Sequence, residues 1–542
     1  MMNCSIAMAQ INVTVGDISG NAQKIISAIR EAQVQGADIV LFPELALCGY
    51  PPLDLILEDE FISENRKQLL EIAAFAENII AIVGVIHVQE ERRYNALAVM
   101  QNGRIIDYVL KTNLPTYDVF DELRYFSPNR HPQPIPVKIK GNDRLLGIEI
   151  CEDLWDNKYE IKVTRELAEQ GADIILNASA SPYCVGKIKQ RIALVRDKVE
   201  KFRIPFVYVN LVGGQDELIF DGNSFALDAE GRFAAYMPAS QEAMGYCRFT
   251  DGRSDQPLPE PEFRELEELR SALILGIRDY FYKSGFRDAV IGLSGGIDSA
   301  LVTVLASEAL GPAHVYTYAM PSVFSSDHSL ADARKCAENL NVHFDIIPIS
   351  PMYDTFLKSL EKPFAGTAFG LAEENLQARI RGTLLMSIAN KKKALVLTTG
   401  NKTELALGYC TLYGDMCGGL APISDLNKPD VYRLANYLNA QYGYDVIPEN
   451  TILKKPSAEL AENQFDPFDY DIVSPIVDDL LCDNRSIEQL IRDTGDPDLV
   501  YRIFNLIRTT EYKRWQAAPG LRVTPKAFGQ GRRMPMINHF AL

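Results

Sequence analysis

Short apolar runs alternate with helical patterns in the first half of the chain. Residues 5–13 alternate as in a strand, and residues 21–35 carry apolar side chains at helical spacing. A buried-strand pattern at 36–42 (GADIVLF) has a near copy at 171–177 (GADIILN), which follows a second helical stretch at 162–170. Two helix–turn–strand units with the same turn residues predict a layered α/β domain with internal pseudo-symmetry.

Two hairpins are predicted in the same half. Asn95 to Met100 and Arg104 to Leu110 flank an Asn-Gly pair, which is a strong hairpin signal. Asn223 to Leu227 and Arg232 to Tyr236 are joined by a short turn that contains glycine. Antiparallel strands therefore join the parallel ones, and the expected architecture is mixed sheets with helices on the outside.

A change of composition separates the two halves. Residues 252–261 contain three prolines and polar side chains without periodicity, which is typical of a linker. We therefore predict an N-terminal domain at 1–252, a linker at 253–261 and a C-terminal domain at 262–542.

The second half repeats an alternation of strands and helices. The predicted helices are 262–283, 299–309, 329–340 and 371–390, and the predicted strands are 289–292, 314–319, 343–349 and 394–398. This order is typical of a doubly wound parallel sheet, in which ligands bind beyond the carboxyl ends of the strands.

Composition and charge narrow the class of protein. The chain has 542 residues, 47% of them hydrophobic and 23% charged, as in ordinary globular proteins of two or more domains. Its net charge of −17 without a run of five basic residues argues against a nucleic-acid partner. No apolar run is long enough to span a membrane, and residues 1–13 lack a signal-peptide layout. With nine cysteines and no Cys-x-x-Cys pair, the expected location is the reducing cytoplasm.

A glycine-rich loop follows the first strand of the second half. The apolar run at 289–292 leads into Ser294-Gly295-Gly296-Ile297-Asp298-Ser299 and then into a helical pattern. Glycines let the backbone approach an anion, the turn directs N–H groups inward, and the helix dipole adds partial positive charge. The loop is therefore predicted to hold a phosphate. It lacks the lysine of a Walker loop, so Walker-type ATPase chemistry is excluded.

Three polar residues lie at the ends of apolar runs in the first half: Glu44, Lys111 and Cys151. A cysteine nucleophile needs a base to remove its proton and a cation to stabilise the oxyanion. None of the six histidines lies at a comparable strand end. A carboxylate and a lysine can do the same work, with Glu44 as the base and Lys111 beside the oxyanion.

Three segments of the first half resemble the nitrilase, or carbon–nitrogen hydrolase, family over about residues 4–252. They are Phe42-Pro43-Glu44-Leu45, Lys111-Thr112-Asn113-Leu114-Pro115 and Ile150-Cys151-Glu152-Asp153-Leu154-Trp155. The resemblance implies an α-β-β-α sandwich with a Glu44–Lys111–Cys151 triad.

The same resemblance implies further site residues. Glu122 matches a second carboxylate that helps to position the triad. By similarity to the amidases of this family that act on glutamine, Tyr117, Ser181 and Lys187 hold that substrate. A lysine suits the α-carboxylate of glutamine as a point charge.

The glycine-rich loop resembles the pyrophosphate loop of the N-type ATP pyrophosphatases, which have a Rossmann-like sheet. In that family the loop holds the β,γ-phosphates as the leaving group while a substrate oxygen attacks the α-phosphorus. The first product is an adenylate.

Further segments of the second half resemble the NAD synthetases. They are Glu374-Asn375-Leu376-Gln377-Ala378-Arg379, Tyr413-Gly414-Asp415, Lys454-Lys455-Pro456-Ser457-Ala458-Glu459-Leu460 and Glu511-Tyr512-Lys513-Arg514. Together with the first half, nearly the whole chain resembles the glutamine-dependent NAD synthetase family.

This resemblance implies two sets of contacts. The residues that contact the co-substrate ATP are Gly292, Leu293, Ser294, Gly295, Gly296, Ile297, Asp298, Ser299, Thr399, Lys428 and Ser457. The residues that contact deamido-NAD are Asn375, Glu404, Asp415 and Lys513. Asp298 and Glu404 are also predicted to hold Mg²⁺, because magnesium in nucleotide sites takes one or two carboxylates plus phosphate oxygens.

The implied reaction is the amidation of deamido-NAD to NAD with ammonia from glutamine, by way of an adenylate. The implied partners are these small molecules and further copies of the chain, at least a dimer through the synthetase domain. Two other interpretations stay open at this point. One is a pyrophosphatase with a different acyl or purine acceptor, and the other is a regulatory nucleotide-binding protein whose nitrilase-like half is inactive.

Overall fold

A computed structural model describes residues 3–462, 464–538 and 540. The chain divides into two compact units, the first extending to Ala272 and the second beginning at Leu273. The division lies within one helix, Glu265–Lys283, which is named α5 below. The ends of the predicted domains at 1 and 542 lie outside the described residues.

The first unit is built from two large sheets and four helices that precede α5. Its strands are β1 (Asn3–Gln10), β2 (Ile39–Leu41), β3 (Ile80–Gln89), β4 (Arg92–Gln101), β5 (Arg104–Leu110), β6 (Ile135–Ile139), β7 (Asn142–Ile150), β8 (Ile174–Ser179), β9 (Phe206–Asn210), β10 (Val212–Gln215), β11 (Leu218–Asp221), β12 (Phe225–Leu227), β13 (Phe233–Tyr236), β14 (Ala243–Thr250) and β15 (Arg253–Ser254). Its helices are α1 (Ile18–Val34), α2 (Asp59–Ala73), α3 (Val163–Glu169) and α4 (Lys187–Phe202), followed by α5 (Glu265–Lys283).

These elements form the four layers that the sequence predicted. One sheet has the order β15-β14-β1-β2-β3-β4-β5, and the other has the order β13-β12-β9-β8-β7-β6. Apolar side chains from both sheets, such as Leu41 and Ile148, form a core between them. Helices α1 and α2 cover the outer face of the first sheet, and α3 and α4 cover the second. The unit is an α-β-β-α sandwich.

The two predicted helix–strand repeats occupy equivalent places in the two sheets. Strand β2 lies parallel to β1 and β3, and β8 lies parallel to β7 and β9. Both predicted hairpins are present as the antiparallel pairs β4–β5 and β12–β13. The carboxyl ends of β2 and β7 therefore lead directly to Glu44 and Cys151.

The segment that was predicted as a linker is ordered in part. Arg253 and Ser254 form β15, which pairs with β14. The Leu258 N–H donates a hydrogen bond to Phe233 O at 2.7 Å. The predicted domain bounds stay a prediction, whereas the compact units divide at 272/273.

The second unit contains a parallel sheet and a group of carboxyl-terminal helices. Its strands are β16 (Ala289–Gly292), β17 (Val315–Ala319), β18 (His343–Ile346) and β19 (Leu395–Leu397). Its helices after α5 are α6 (Ile297–Leu310), α7 (Asp327–Leu340), α8 (Ser350–Leu360), α9 (Leu371–Lys392), α10 (Lys402–Leu407), α11 (Lys428–Tyr442), α12 (Glu449–Leu453), α13 (Tyr470–Leu481), α14 (Ile487–Thr494), α15 (Pro497–Thr509) and α16 (Glu511–Arg514).

The sheet order β18-β17-β16-β19, with every pair parallel, confirms the doubly wound arrangement. The order reverses at β16, so the glycine-rich loop after β16 lies where such sheets bind ligands. Within the part of the chain that the structure describes, no helix combines the length and the apolar character that crossing a lipid bilayer requires.

Gly84 of β3 shows how tightly the first unit packs around Glu44. A Cβ at this position would overlap the backbone of Pro43 and Leu45 and lie 2.7 Å from Glu44 C. The backbone also bonds here, because the Leu47 N–H donates to Gly84 O at 3.0 Å. Only glycine lets the loop after β2 approach the sheet this closely.

We expect Gly84→Ala to lower the free energy of unfolding of the first unit by about 3 kcal/mol, since the overlap is with backbone that must move. The chain has two tryptophans, Trp155 and Trp515, one in each unit. In a Trp515→Phe background, urea unfolding followed by Trp155 fluorescence measures the effect. Gly103→Asn is the control, because Gly103 has a φ of +71° in open space, which asparagine tolerates. Equal stability of Gly84→Ala and the parent would contradict the packing argument.

Candidate active sites

Glu44, Lys111 and Cys151 lie at the ends of three different strands and meet inside the sandwich. Lys111 Nζ lies 2.6 Å from Glu44 Oε1 and 2.7 Å from Glu122 Oε1. All four residues are buried, with exposed fractions of 0% for Glu44, 1% for Lys111, 5% for Glu122 and 6% for Cys151. The structure therefore brings together the predicted catalytic set.

Three further groups hold this set, and sequence reasoning missed them. Asn95 Nδ2 donates to Glu44 Oε1 at 2.7 Å, and Tyr50 OH donates to Glu122 Oε1 at 2.9 Å. The backbone N–H of Ala180, just after β8, donates to Glu44 Oε2 at 2.9 Å. One feature of the sequence could have identified Asn95 as a site residue, because it is a polar residue at the start of an otherwise apolar strand segment. A backbone N–H such as that of Ala180 carries no signal in the side-chain pattern.

The hydrogen bonds of Glu44 indicate where it can accept a proton. Each carboxylate oxygen has two acceptor positions. Oε1 uses both, for Lys111 and Asn95, whereas Oε2 uses one for Ala180 N. The remaining position of Oε2 is the one suited to a thiol proton.

Charge and burial keep the Cys151 thiol protonated until a base acts. Burial raises the pKa of Cys151 well above its ordinary value, and the Glu44 carboxylate adds to the shift. Burial acts to lower the pKa of Lys111, but the Glu122 and Glu44 carboxylates outweigh it, so that pKa lies well above the usual range. Lys111 is therefore a permanent cation beside a neutral thiol.

The predicted glutamine-binding residues lie around the turn that contains Cys151. Tyr117 OH donates to both Glu152 carboxylate oxygens, at 3.0 and 2.9 Å. Lys187 Nζ lies 3.9 Å from the centre of the Trp155 ring. Ser181 is 5% exposed and follows Ala180, whose N–H contacts Glu44. Glu152 was not among the predicted site residues, and burial raises the pKa of its carboxyl group.

In the second unit, the glycine-rich loop has the form that a phosphate loop requires. Gly295 has a φ of +82°, and a Cβ there would overlap Ser329 O, so the position needs glycine. Ser299 Oγ accepts from Ser294 N at 3.2 Å and donates to Gly296 O at 2.9 Å. The loop leads into α6, whose N-terminus adds its dipole to the site.

Two cavities lie beside this loop. The larger has a volume of about 520 Å³, and the smaller, with about 270 Å³, includes the half-buried Arg381. Burial lowers the pKa of Arg381 to about 10. The predicted residues that line one or both cavities are Gly292, Leu293, Ser294, Gly296, Ile297, Asp298, Ser299, Thr399, Glu404, Asp415, Lys428 and Ser457.

Asn375 and Lys513 do not line either of these cavities. Thr411 donates through its N–H to Asp415 Oδ1 and through Oγ1 to Asn375 Oδ1, both at 2.7 Å. Lys513 Nζ donates to Cys410 O at 2.7 Å, and Cys410 lines the larger cavity. Lys513 therefore lies directly behind the wall of the larger cavity, whereas Asn375 lies further back, with Thr411 between it and Asp415.

Asp298 and Glu404 converge on one cation. Lys428 Nζ lies 2.5 Å from Asp298 Oδ2 and 3.3 Å from Glu404 Oε1. Burial raises the pKa of Glu404 to about 7, with Lys428 acting in the opposite direction. Two carboxylates that share an ammonium are a donor set that fits a divalent ion such as Mg²⁺.

Comparisons with known proteins agree with this geometry. A carbon-nitrogen hydrolase family model matches residues 5–250, and an NAD synthase family model matches residues 269–517. The glutamine-dependent NAD(+) synthetase of Synechocystis sp. is 43% identical, with 99% of each chain covered. That of Thermotoga maritima is 41% identical, with 100% of this chain and 99% of the relative covered.

A solved structure agrees over the same length. The glutamine-dependent NAD+ synthetase of Acinetobacter baumannii, in complex with adenosine diphosphate, has a TM-score of 0.80 at 36% identity and covers 99% of both chains. Both family models, full-length identity and the fold point to one conclusion. This chain belongs to the family of glutamine-dependent NAD+ synthetases, and it carries out glutamine-dependent NAD+ synthesis from deamido-NAD.

Proposed function

We propose that the two sites divide glutamine-dependent NAD+ synthesis between them, with a glutaminase in the first unit and an ATP-dependent synthetase in the second. The observation that carries this proposal is the buried contact of Lys111 with Glu44 and Glu122 beside Cys151. A dry thiol–carboxylate–ammonium site suits amide cleavage, whereas the loop after β16 suits a nucleotide.

In the first site, Cys151 Sγ attacks the side-chain amide carbon of glutamine while its proton passes to Glu44 Oε2. The Lys111 ammonium has three N–H donors, and two of them point to Glu44 and Glu122. The third is directed to the oxyanion that forms on the amide oxygen. Glu44 then gives its proton to the leaving nitrogen, which departs as ammonia and leaves a γ-glutamyl thioester.

Water completes the cycle at the same atoms. Glu44 Oε2 removes a proton from water, the hydroxide adds to the thioester carbon, and the sulfur leaves with that proton, which releases glutamate. Tyr117, Ser181 and Lys187 hold the substrate, with Lys187 paired to its α-carboxylate. Glu122 keeps the Lys111 ammonium in place through both half-reactions.

In the second site, the nicotinate carboxylate of deamido-NAD attacks the α-phosphorus of ATP, and pyrophosphate leaves. ATP contacts the loop residues 292–299 together with Thr399, Lys428 and Ser457. Deamido-NAD contacts Asn375, Glu404, Asp415 and Lys513, and for Asn375 and Lys513 this requires small movements of the cavity wall. Ammonia then attacks the acyl-adenylate carbon and AMP departs.

Asp298 and Glu404 are the residues that hold Mg²⁺ in this proposal. The bound ion would offset negative charge on the phosphates. The Lys428 ammonium adds positive charge at the same place. Burial raises the pKa of Glu404 to about 7, and a bound cation would act in the opposite direction, as the Lys428 ammonium does.

We further propose a cytoplasmic homo-oligomer, at least a dimer through the synthetase unit, without a nucleic-acid partner. The net charge of −17 supports the last point, since phosphate backbones repel an acidic surface. Sedimentation of the purified chain measures the oligomeric state.

Nitrogen transfer tests the whole proposal. Deamido-NAD, ATP, MgCl₂ and glutamine labelled with ¹⁵N in the side-chain amide are supplied, and the product is weighed by mass spectrometry. We expect NAD+ one mass unit heavier than with unlabelled glutamine. Glutamine labelled only at the α-nitrogen is the control and leaves the mass unchanged. Unlabelled NAD+ from the amide-labelled substrate would refute the proposal.

Cys151→Ala separates the two activities. We expect glutamine-driven NAD+ synthesis to fall by about 10³-fold or more, because no thioester can form, while synthesis from ammonium chloride keeps the parent rate. Cys247→Ala removes another buried thiol, whose pKa burial raises to about 12, and should leave both rates unchanged. Loss of ammonium-driven synthesis in Cys151→Ala alone would show that the division of labour is wrong.

Asp298→Asn should produce the opposite pattern. It removes a charge that Lys428 contacts and that the metal requires, so NAD+ synthesis from either nitrogen source should fall by about 10²-fold or more. Glutamate release without deamido-NAD should continue at the parent rate. Asp327→Asn, at an exposed carboxylate on the first turn of α7, is the control. Normal synthesis in Asp298→Asn would remove this residue from the proposed site.

A further inference from the structure

Asp153 is a buried carboxylate beside the first site that the chemistry above does not use. It is the third residue of the 3₁₀ turn Cys151–Asp153 and is 2% exposed. Its Oδ1 accepts hydrogen bonds from Thr112 N at 3.1 Å and Asn113 N at 2.7 Å. Its Oδ2 accepts from Ile150 N at 3.0 Å.

These three N–H groups flank two members of the triad. Thr112 and Asn113 directly follow Lys111, and Ile150 directly precedes Cys151. Lys111 comes after β5 at the edge of the seven-stranded sheet, whereas Cys151 comes after β7 of the six-stranded sheet. The Asp153 carboxyl group therefore links the segment after β5 of one sheet to the end of β7 of the other. Each of these places carries a member of the triad.

The same carboxylate closes the turn around a strained nucleophile. Cys151 has a φ of +45°, in the left-handed region that non-glycine residues rarely adopt. Such a conformation is unfavourable for a non-glycine residue and persists only where the surrounding structure holds it. The bond from Ile150 N to Asp153 spans this residue and holds the turn on both sides of it.

The bonding pattern requires the two oxygens of an aspartyl side chain. Burial raises the pKa of Asp153 to about 8, and the bonds from Asn113 N and Ile150 N act in the opposite direction. Backbone N–H groups only donate, so three of them need an acceptor that presents two oxygens. Asparagine has the same shape but presents one oxygen and one NH₂ group, which would face an N–H without an acceptor. A buried N–H left unpaired in this way is unfavourable, and movement of the backbone would relieve it.

We propose that Asp153 is a positioning residue of the glutaminase, which sets the distance between the Lys111 ammonium and the Cys151 sulfur without touching a reacting atom. The inference rests on the proposed role of Cys151 as nucleophile. Attack geometry is sensitive to displacements of about 1 Å, so loosening the tie between the two segments slows chemistry more than substrate binding.

The test is Asp153→Asn in the full-length chain, assayed for glutamate release and for ammonium-driven NAD+ synthesis. We expect the glutaminase kcat to fall by about 100-fold, with the KM for glutamine changed by less than about threefold. Ammonium-driven synthesis should keep the parent rate. The apparent pKa values in the pH profile of kcat should stay the same while the maximum kcat falls. The substitution is expected to change the geometry of the site and not the proton affinity of the reacting groups.

Asp228→Asn is the matched control. Asp228 is 0% exposed, and its carboxylate also accepts three backbone N–H bonds, from Glu230, Arg232 and Ser254. It makes the same backbone contacts in the same unit, and it also accepts hydrogen bonds from Arg232 Nε at 3.0 Å and Nη2 at 2.8 Å. Asp228→Asn therefore disturbs the unit at least as much as Asp153→Asn without changing a contact of the triad. Its substitution therefore measures what the loss of a buried, N–H-bonded carboxylate does to the unit as a whole.

Unfolding of each variant is followed by Trp155 fluorescence in a Trp515→Phe background. The kinetics are then measured under conditions in which that variant is folded. Should Asp153→Asn be unfolded throughout, Asp153→Ser takes its place, since the smaller side chain leaves room for water to bond the three N–H groups. The same expectations apply to it.

A folded Asp153 variant whose glutaminase kcat lies within about threefold of the parent overturns the proposal. An equal fall of kcat in Asp228→Asn overturns it too, because the effect would then be general destabilisation. A displaced pH profile with an unchanged maximum overturns it as well, since that indicates an electrostatic effect on proton affinity. Absence of glutamate release by the parent chain contradicts the proposed function itself and is decided before any variant is made.

Discussion

A buried ammonium between two carboxylates is the interaction on which the first unit depends. Lys111, Glu44 and Glu122 place one ammonium and two carboxyl groups where there is almost no exposure to water, and burial raises the pKa of Glu122. Burial of charge is unfavourable unless every ion has partners, and loss of one partner from a buried ion pair costs about 3–5 kcal/mol. Asn95, Tyr50 and Ala180 supply these partners, so the fold around the site is constrained by charge as well as by packing.

The second unit also contains a lysine ammonium between two carboxyl groups. Lys428 lies between Asp298 and Glu404, as Lys111 lies between Glu44 and Glu122. In the first unit the cation lies between two buried carboxyl groups near the Cys151 thiol, and its role in acyl transfer is our proposal. In the second it borders an open cavity of about 520 Å³, where the negative charge of a nucleotide is expected to redistribute the ion pairs.

Much of the architecture followed from sequence pattern. The repeated GADI segments, the Asn-Gly hairpin and the strand–helix alternation predicted a layered α/β domain with mixed sheets and a doubly wound sheet, and the structure has both. The α-β-β-α order of the layers was implied by the family resemblance. Each of these signals is local, because hydrophobic periodicity and turn chemistry act over a few residues. The segment at 253–261 shows the limit, since proline content alone does not reveal that Arg253 and Ser254 pair with β14.

For the two sites as well, the sequence predicted some features and the structure alone showed others. Strand-end positions and short segments pointed to Glu44, Lys111, Cys151, Glu122 and the phosphate loop from the sequence alone, because reactive side chains collect where strands end. Only the tertiary structure decided that Ala180 N bonds Glu44, that Asp153 joins the Lys111 and Cys151 segments, and that Thr411 links Asn375 to Asp415. All of these bonds but one have a backbone N–H as donor, and the remaining one joins the side chains of Thr411 and Asn375, which are 36 positions apart. Residue type cannot predict them, because every residue except proline has the same N–H, and which one meets an acceptor depends on how distant segments pack.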